Sequence, residues 1–279
     1  MARHPGIVVG VLSWNLAHGR DFPPDPALRT WRSRLLRITE RGATHAQVNR
    51  PLRDEFAGWL AAREWDLALL QEAPPRWQHD LARRAGASSA IALTSRNLLP
   101  RLRGTLAELN PDLIASNEGG SNQLLVRAPA RIVEVRRLTL SERPERRRLL
   151  WSLLERPDRR RLAVANLHAT SGDPAAAARD VQLAAERSVE WAGEAPLVFG
   201  GDLNLRPGDH PAVFERLRDL LRLVEPTGSN AIDHLLARGL ELVAPAAALP
   251  PEDRDVAAHD GLHIRLSDHA PVVASFGMK

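Results

Sequence analysis

Cysteine and tyrosine are absent from the 279 residues, and Lys279 is the only lysine. Without cysteine there is no disulfide framework and no thiolate metal site, which fits a reducing compartment and makes the cytoplasm the expected location. Cysteine and tyrosine nucleophiles are excluded, and the missing internal lysine excludes a P-loop. No G-x-S-x-G elbow occurs either. No apolar run approaches the roughly 20 residues of a membrane span. Ile7-Val8-Val9 is too short for the apolar region of an export signal. Hydrolytic chemistry in such a chain is left with metal ions, carboxylates and histidines.

What is present is an ordinary globular composition, 44% hydrophobic and 26% charged, with a length that suits one domain over residues 1–279. The net charge of +4 is carried almost wholly by arginine, whose guanidinium fork suits phosphate oxygens. Abundant arginine and alanine together read equally as the mark of a biased genome.

Apolar stretches of strand length alternate with segments of helical period, an α/β pattern without internal repeats. Strands are predicted at Ile7 to Leu12, Leu67 to Leu70, Leu162 to Ala165, Leu197 to Phe199 and Pro271 to Phe276. As continuous apolar runs they should be buried on both faces. Leu52, Phe56, Trp59 and Leu60 form one stripe of a helix opposite Arg53, Asp54 and Arg63. Asp173 caps a second helix that begins with Pro174 and runs to about Glu190. Shorter antiparallel pieces are expected at Gln123 to Val126, Ile132 to Leu140 and Leu149 to Leu154, divided by turns at Pro129 and Pro144. Arginines 143, 146, 147 and 148 and arginines 156, 159, 160 and 161 alternate with acids around these turns, so solvated hairpin tips are expected.

Several of the apolar strands run directly into polar residues of catalytic type, where open sheets present side chains to ligands. Ile7 to Leu12 leads to Asn15, Leu67 to Leu70 to Gln71-Glu72, Leu162 to Ala165 to Asn166-Leu167-His168, and Leu197 to Phe199 to Gly200-Gly201-Asp202-Leu203-Asn204. Ala231-Ile232-Asp233-His234 and Ser267-Asp268-His269 complete the set. Singly, each has a structural explanation: an Asx turn for Asp202 and Asn204, a cap for Glu72, a hydrogen-bonded core position for His168. Together they are hard to dismiss.

In their order, Ser13-Trp14-Asn15, Leu70-Gln71-Glu72, Asn166-Leu167-His168, Gly201-Asp202-Leu203-Asn204, Ile232-Asp233-His234 and Ser267-Asp268-His269, the chain resembles the endonuclease/exonuclease/phosphatase superfamily. The resemblance spans Ser13 to His269. It implies a four-layer α/β/β/α sandwich, two mixed β-sheets packed face to face and flanked by helices. It also implies roles: Glu72 and Asp268 as metal ligands with Asn15 as ligand or phosphate contact, Asp202 and Asn204 on the attacking water, His168 and His269 on the scissile phosphate, and Asp233 as the partner of His269. Oxygen ligands suit magnesium or manganese, and a carboxylate bonded to imidazole supports its charge as negative charge grows on the phosphoryl oxygens.

Adjacent strand residues face opposite ways, so Asp233 and His234 cannot both enter the site, and His234 is expected to be structural together with His4, His45, His79, His259 and His263. Asp268 and His269 escape that limit if a turn precedes the last strand. His18 and Arg20 sit on a loop beside the site and are candidates for substrate contact, as is Asn122.

The expected function is therefore metal-dependent hydrolysis of a phosphate ester by in-line attack of water, with a nucleic-acid phosphodiester the favoured substrate because of the basic balance. A phospholipid or small phosphorylated metabolite is the alternative, and a non-catalytic phosphate-binding module is the reading from another class. A nuclease should show a basic groove beside the site, a lipid-directed enzyme an exposed apolar or aromatic rim. No protein partner is implied.

Overall fold

The computed structural model describes residues 7–95, 99–114, 119–143, 145–224, 227–258 and 260–278; His4, Pro144 and His259 lie outside them. The first half of the chain forms β1 (Ile7–Asn15), α1 (Trp31–Leu36), β2 (Glu40–Arg41), β3 (Ala46–Gln47), α2 (Arg53–Ala62), β4 (Leu67–Ala73), α3 (Gln78–Arg84), β5 (Ala87–Leu93), α4 (Pro100–Leu109), α5 (Pro111–Ile114) and β6 (Ser121–Arg127). The second half forms β7 (Arg131–Ser141), β8 (Arg147–Glu155), β9 (Arg161–His168), α6 (Pro174–Ala192), β10 (Leu197–Asp202), α7 (Pro211–Leu221), β11 (Asp233–Arg238), β12 (Glu241–Ala248), β13 (Asp255–Ala257), β14 (His263–Arg265) and β15 (Val272–Met278).

Two large sheets result, a six-stranded one in the order β12-β15-β1-β4-β6-β5 and a five-stranded one in the order β11-β10-β9-β8-β7. Each is mixed, because β1 runs parallel to β4 and β9 parallel to β10 while the other neighbours are antiparallel. Strand alternation explains why three separate apolar clusters form. Val9, Val11, Leu67, Leu69, Leu124 and Val126 of the first sheet meet Leu150, Leu154, Val164, Val198 and Leu235 of the second. The intervening residues Leu12, Trp14, Ala68, Leu70 and Leu125 face the other way, onto Phe56, Trp59 and Leu60 of α2 and Leu81 of α3. On the second sheet, Trp151, Ala163, Ala165, Leu197, Phe199 and Leu236 turn toward α6 and α7. Three interfaces between four layers are what the expected α/β/β/α sandwich requires. Full burial of each such Leu or Phe side chain contributes about 1.5–3 kcal/mol.

The two long helices follow their sequence signals. The α2 stripe of Phe56, Ala57, Trp59 and Leu60 is buried. Asp173 caps α6 through its Oδ1, which accepts from Ala176 N at 3.0 Å, and the helix runs past Glu190 to Ala192.

At one end the interface between the sheets turns from apolar to polar. Asn166 Nδ2 donates to Leu70 O at 2.9 Å and Gln123 O at 2.8 Å, and its Oδ1 accepts from Gln71 Nε2 at 2.8 Å. Asn122 Nδ2 donates to Arg148 O at 2.7 Å, a second bond from one sheet to the other. Asn122, offered above as a substrate contact, is thus engaged with backbone. Just beyond this amide layer lie the residues of chemical interest.

Candidate functional site

The five-stranded sheet delivers three site residues in a row. In register, His168 of β9 lies opposite Asp202 of β10, and Asp202 lies opposite Asp233 of β11. Directly opposed residues share a face, and here it is the face that Val164, Val198 and Leu235 turn toward the other sheet. The tight approach depends on Gly201, whose φ of 128° suits glycine alone and whose added Cβ would lie 2.0 Å from Leu167 O.

The six-stranded sheet contributes Asn15 and Glu72. Asn15, two residues after Ser13 and four after Val11, keeps the inter-sheet face by simple alternation. Its Nδ2 donates to Asp202 Oδ2 at 3.0 Å and its Oδ1 accepts from Ala17 N at 3.0 Å, so the first contact between the two sheets' site residues is direct. Glu72 is different. As a neighbour of Gln71 it would point toward the helices, but the pairing of β4 with β6 slips between Leu70 and Ala73 and Glu72 adopts φ 47°. This bulge turns its carboxylate to within 3.3 Å of His18 Nε2 and 3.8 Å of His168 Nε2.

Ser267-Asp268-His269 forms the turn that was required of it, with Ser267 at φ 60°. The Ser267 hydroxyl donates to Asn15 O at 2.6 Å and accepts from His269 N at 3.1 Å, while Trp14 Nε1 donates to His269 O at 2.9 Å. These bonds dock His269 against β1, and its Nδ1 bonds Asp233 Oδ2 at 2.8 Å while Nε2 lies 3.9 Å from Asp202 Oδ2. Asp268 is exposed beside it. Asn204 holds φ 52°, its N–H donating to Asp202 Oδ1 at 3.1 Å and its Nδ2 to Ala169 O at 3.2 Å.

The electrostatics separate the two histidines. Burial disfavours charge on both, but at His269 the hydrogen bond and charge of Asp233, with Asp202 and Asp268 nearby, outweigh it and raise the imidazole to about 10. His168 is pushed well below the ordinary histidine value by burial and by the charges of Arg147, His269 and His18. Arg147 Nη1 lies 3.0 Å from His168 Nδ1 and 3.4 Å from its Nε2; since guanidinium only donates, the nearer Nδ1 is the better acceptor, which puts the proton of the neutral ring on Nε2. That Nε2–H faces Asp202 Oδ2 at 3.5 Å. Asp202 itself is raised to about 7 by burial and by the neighbouring charges of Asp233 and Glu72, against the pull of His269 and Asn15.

Arg147 corrects the expectation that its arginine group is a solvated hairpin tip: it is 7% exposed, at the first residue of β8, with Nη2 3.1 Å from Glu145. It shares strand parity with Leu149 and Trp151, which face the helices, so alternation could not have found it. The group around Arg159 does occupy a turn, with Arg159 exposed. His18 is buried at φ 55° and pushed down chiefly by burial. The other histidines lie elsewhere: His234 Nε2 bonds Leu205 O at 3.0 Å beneath Phe214, His45 Nε2 bonds Asp255 at 3.1 Å with His263 beside it, and His79 is exposed.

A divalent ion fits this donor set. Glu72, Asp202, Asp233 and Asp268 offset the cationic His269 and Arg147 with carboxylate in excess, and Asp233 Oδ1 is buried without a partner. Among the described residues, the potential donors of Asp202, Asp233 and His269 fall within 4.8 Å of one another, a group that does not include the expected ligands Glu72 and Asp268. Within that triplet Asp233 and His269 already bond each other at 2.8 Å.

The sequence from residue 12 to 269 matches the model of the Endonuclease/Exonuclease/phosphatase family. The chain belongs to that family. Members are phosphoesterases that generally use divalent metals. Among curated proteins none matches the sequence. Solved structures do: a family protein from Bacteroides thetaiotaomicron (TM-score 0.66, 16% identity, covering 99% of this chain and 100% of that one), a mannosyl-6-phosphatase from Bacteroides thetaiotaomicron VPI-5482 (0.64, 16%, 96% and 99%) and the catalytic domain of human Nocturnin with a bound sulfate anion (0.64, 15%, 98% and 95%). At such identities the likeness is one of fold.

Proposed function

We propose that this family member hydrolyses a phosphate ester with the help of a divalent cation such as magnesium or manganese. The observation that carries the reading is the convergence of His168, Asp202 and Asp233 from one sheet with Asn15 and Glu72 from the other, closed by His269. Glu72 and Asp268, with Asn15, would hold the ion, which supplies Lewis-acid stabilisation of charge on the phosphoryl oxygens. Asp202, with Asn204 beside it, accepts the proton of the attacking water as the new O–P bond forms and the ester P–O bond breaks; the departing alcohol recovers a proton from solvent. The His269 imidazolium, held in its tautomer by Asp233, and the Nε2–H of neutral His168 donate to the phosphoryl oxygens. Arg147 fixes the His168 ring.

On substrate, the basic balance that favoured nucleic acid is matched locally in part, with Arg20, Arg29 and Arg34 gathered beside Asp268. Arg50 pairs with Glu55, Arg63 with Asp253, Arg84 with Asp54, Arg131 with Glu155 and Arg216 with Glu186. The α1 helix, which carries Arg34 of the cavity beside Asp268, exposes Trp31 at 65% and Leu36 at 58%, and α4 exposes Leu102 at 57%, apolar surface of the kind a lipid-directed enzyme uses. This favours a phospholipid or small phosphorylated metabolite over a polymer. No helix among the described residues is long and apolar enough to cross a membrane.

The test is turnover of supercoiled DNA, single-stranded RNA, a phosphatidylinositol phosphate, sphingomyelin and bis-p-nitrophenyl phosphate with magnesium, manganese or chelator. Chelator-sensitive hydrolysis of at least one member is expected. Silence from folded protein across the panel, or hydrolysis that ignores chelator, would overturn the reading.

A further inference from the structure

Next to Asp268 and Ala17 opens a cavity of about 360 Å³, whose walls include Arg20, Arg29, Arg34, Phe22 and Gln47. Its size lies within the range of small-ligand sites, roughly 300–1,000 Å³. Among the described residues, none of its three arginines forms an ion pair within 4 Å. Arg29 Cζ lies over the Phe22 ring at 4.3 Å from its centroid, a contact that holds the guanidinium without neutralising it. Arg20 is anchored by its Nε donating to Ala17 O at 3.0 Å, one residue from His18; its charge is felt by His18, and together with that of Arg34 by Asp112 on the cavity wall.

Of the three acids on the cavity wall, Asp268 is exposed while Asp21 and Asp112 are engaged inward. Asp21 Oδ2 accepts from Val48 N at 2.8 Å and Asp112 Oδ2 from Gln47 Nε2 at 2.8 Å. Burial also raises both, Asp21 to about 7, so they oppose an entering anion less than their number suggests. Arg20 and Arg34 both act on Asp112 and Arg29 has no acidic partner within 4 Å among the described residues, so an entering anion would add its charge to that of Asp112 before three guanidinium groups.

We infer that this cavity receives a second anionic group of the substrate, a phosphate or carboxylate carried apart from the scissile ester. The cavity shares Asp268 with the catalytic site, so a ligand bridging the two would lie across that residue, with one phosphate before His168 and His269 and the other between Arg29 and Arg34. The inference rests on the phosphoesterase reading, and it makes a doubly anionic metabolite or lipid headgroup the substrate class.

The experiment compares matched probes that differ by one phosphate: fructose 6-phosphate with fructose 1,6-bisphosphate, 5′-AMP with adenosine 3′,5′-bisphosphate, and phosphatidylinositol with phosphatidylinositol 4-phosphate in phosphatidylcholine vesicles. Hydrolysis and calorimetric binding are both measured on the full chain and on its Arg29→Ala and Arg34→Ala variants, whose altered side chains are exposed. The doubly anionic member of at least one pair should be preferred about tenfold or more in kcat/KM. Each variant should cut that preference about tenfold, through KM, while leaving the singly charged member unchanged. Preference confined to vesicles assigns the cavity to a lipid headgroup; preference among the free compounds assigns it to a metabolite. Equal handling of every pair by the wild-type chain, or variants that slow both members alike, would overturn the inference. If nothing is hydrolysed the phosphoesterase reading fails, and the binding arm still decides: tighter binding of a doubly anionic probe that is lost in both variants supports the cavity, and equal binding rejects it.

Discussion

The two sheets supply the site in different ways. The five-stranded sheet presents His168, Asp202 and Asp233 side by side in unbroken register, all on the face that alternation assigns them. The six-stranded sheet presents Asn15 by the same rule, but Glu72 only through a slipped pairing and a left-handed backbone. The proposed general base thus rests on regular structure, whereas His269 rests on a turn and the expected metal ligand Glu72 on a bulge. A bulge can re-aim one carboxylate without disturbing the strands around it.

The sharpest way to break this contrast is at the proposed proton chemistry, Asp202 held in register and His269 held on its turn. Asp202→Ala and His269→Ala are each expected to lower turnover by about 10²–10⁴ with the fold retained. Circular dichroism beside initial rates checks both, and near-normal rates would remove those residues from the proposed chemistry. Glu72→Gln should act otherwise, raising the metal concentration needed for half-maximal rate by about tenfold or more, since one charged ligand is lost. A metal titration that superimposes on the wild type would detach Glu72 from the ion.

Backbone geometry offers a third test. Gly201→Ala adds a Cβ that meets Leu167 O and imposes a φ foreign to alanine, so it should destabilise the five-stranded sheet by about 1–3 kcal/mol or more in chemical denaturation. Unchanged stability would mean that the β9–β10 approach is looser than described. The smallest expected effect lies outside the sheets. Asp21 binds its proton more tightly folded than unfolded, raised from 3.8 to about 7, so its contribution falls as pH rises through that window and stays unfavourable above it. Asp21→Asn should therefore raise the melting temperature at pH 8, by at most a few kcal/mol of stability, and leave it little changed at pH 4. A gain of the same size at both pH values would argue that the burial of Asp21 is not what moves its proton.

Sequence patterning reached most of the regular half. The apolar runs located β1, β4, β9, β10 and β15, alternation separated Asp233 from His234, and the capped stripe located α6. The stretch from His18 to Gln47 was not legible, because α1 and the short strands β2 and β3 carry too few residues for a period to show. Arg147 was hidden among neighbouring arginines, its burial decided by the facing His168 on another strand. Ser267 was read as part of a motif, yet the hydroxyl that joins Asn15 to His269 is visible only once both are in place. The role of Glu72 came from resemblance alone, since strand parity points it away from the site.

The bonds of Asn166 to Leu70 O and Gln123 O cross from one sheet to the other directly beneath these residues. Sliding one sheet along the other by a single residue, about 3.3 Å, would break all of them at once. Asn166 therefore works as a vernier stop: it fixes the offset at which a histidine and an aspartate from one sheet meet an asparagine and a glutamate from the other.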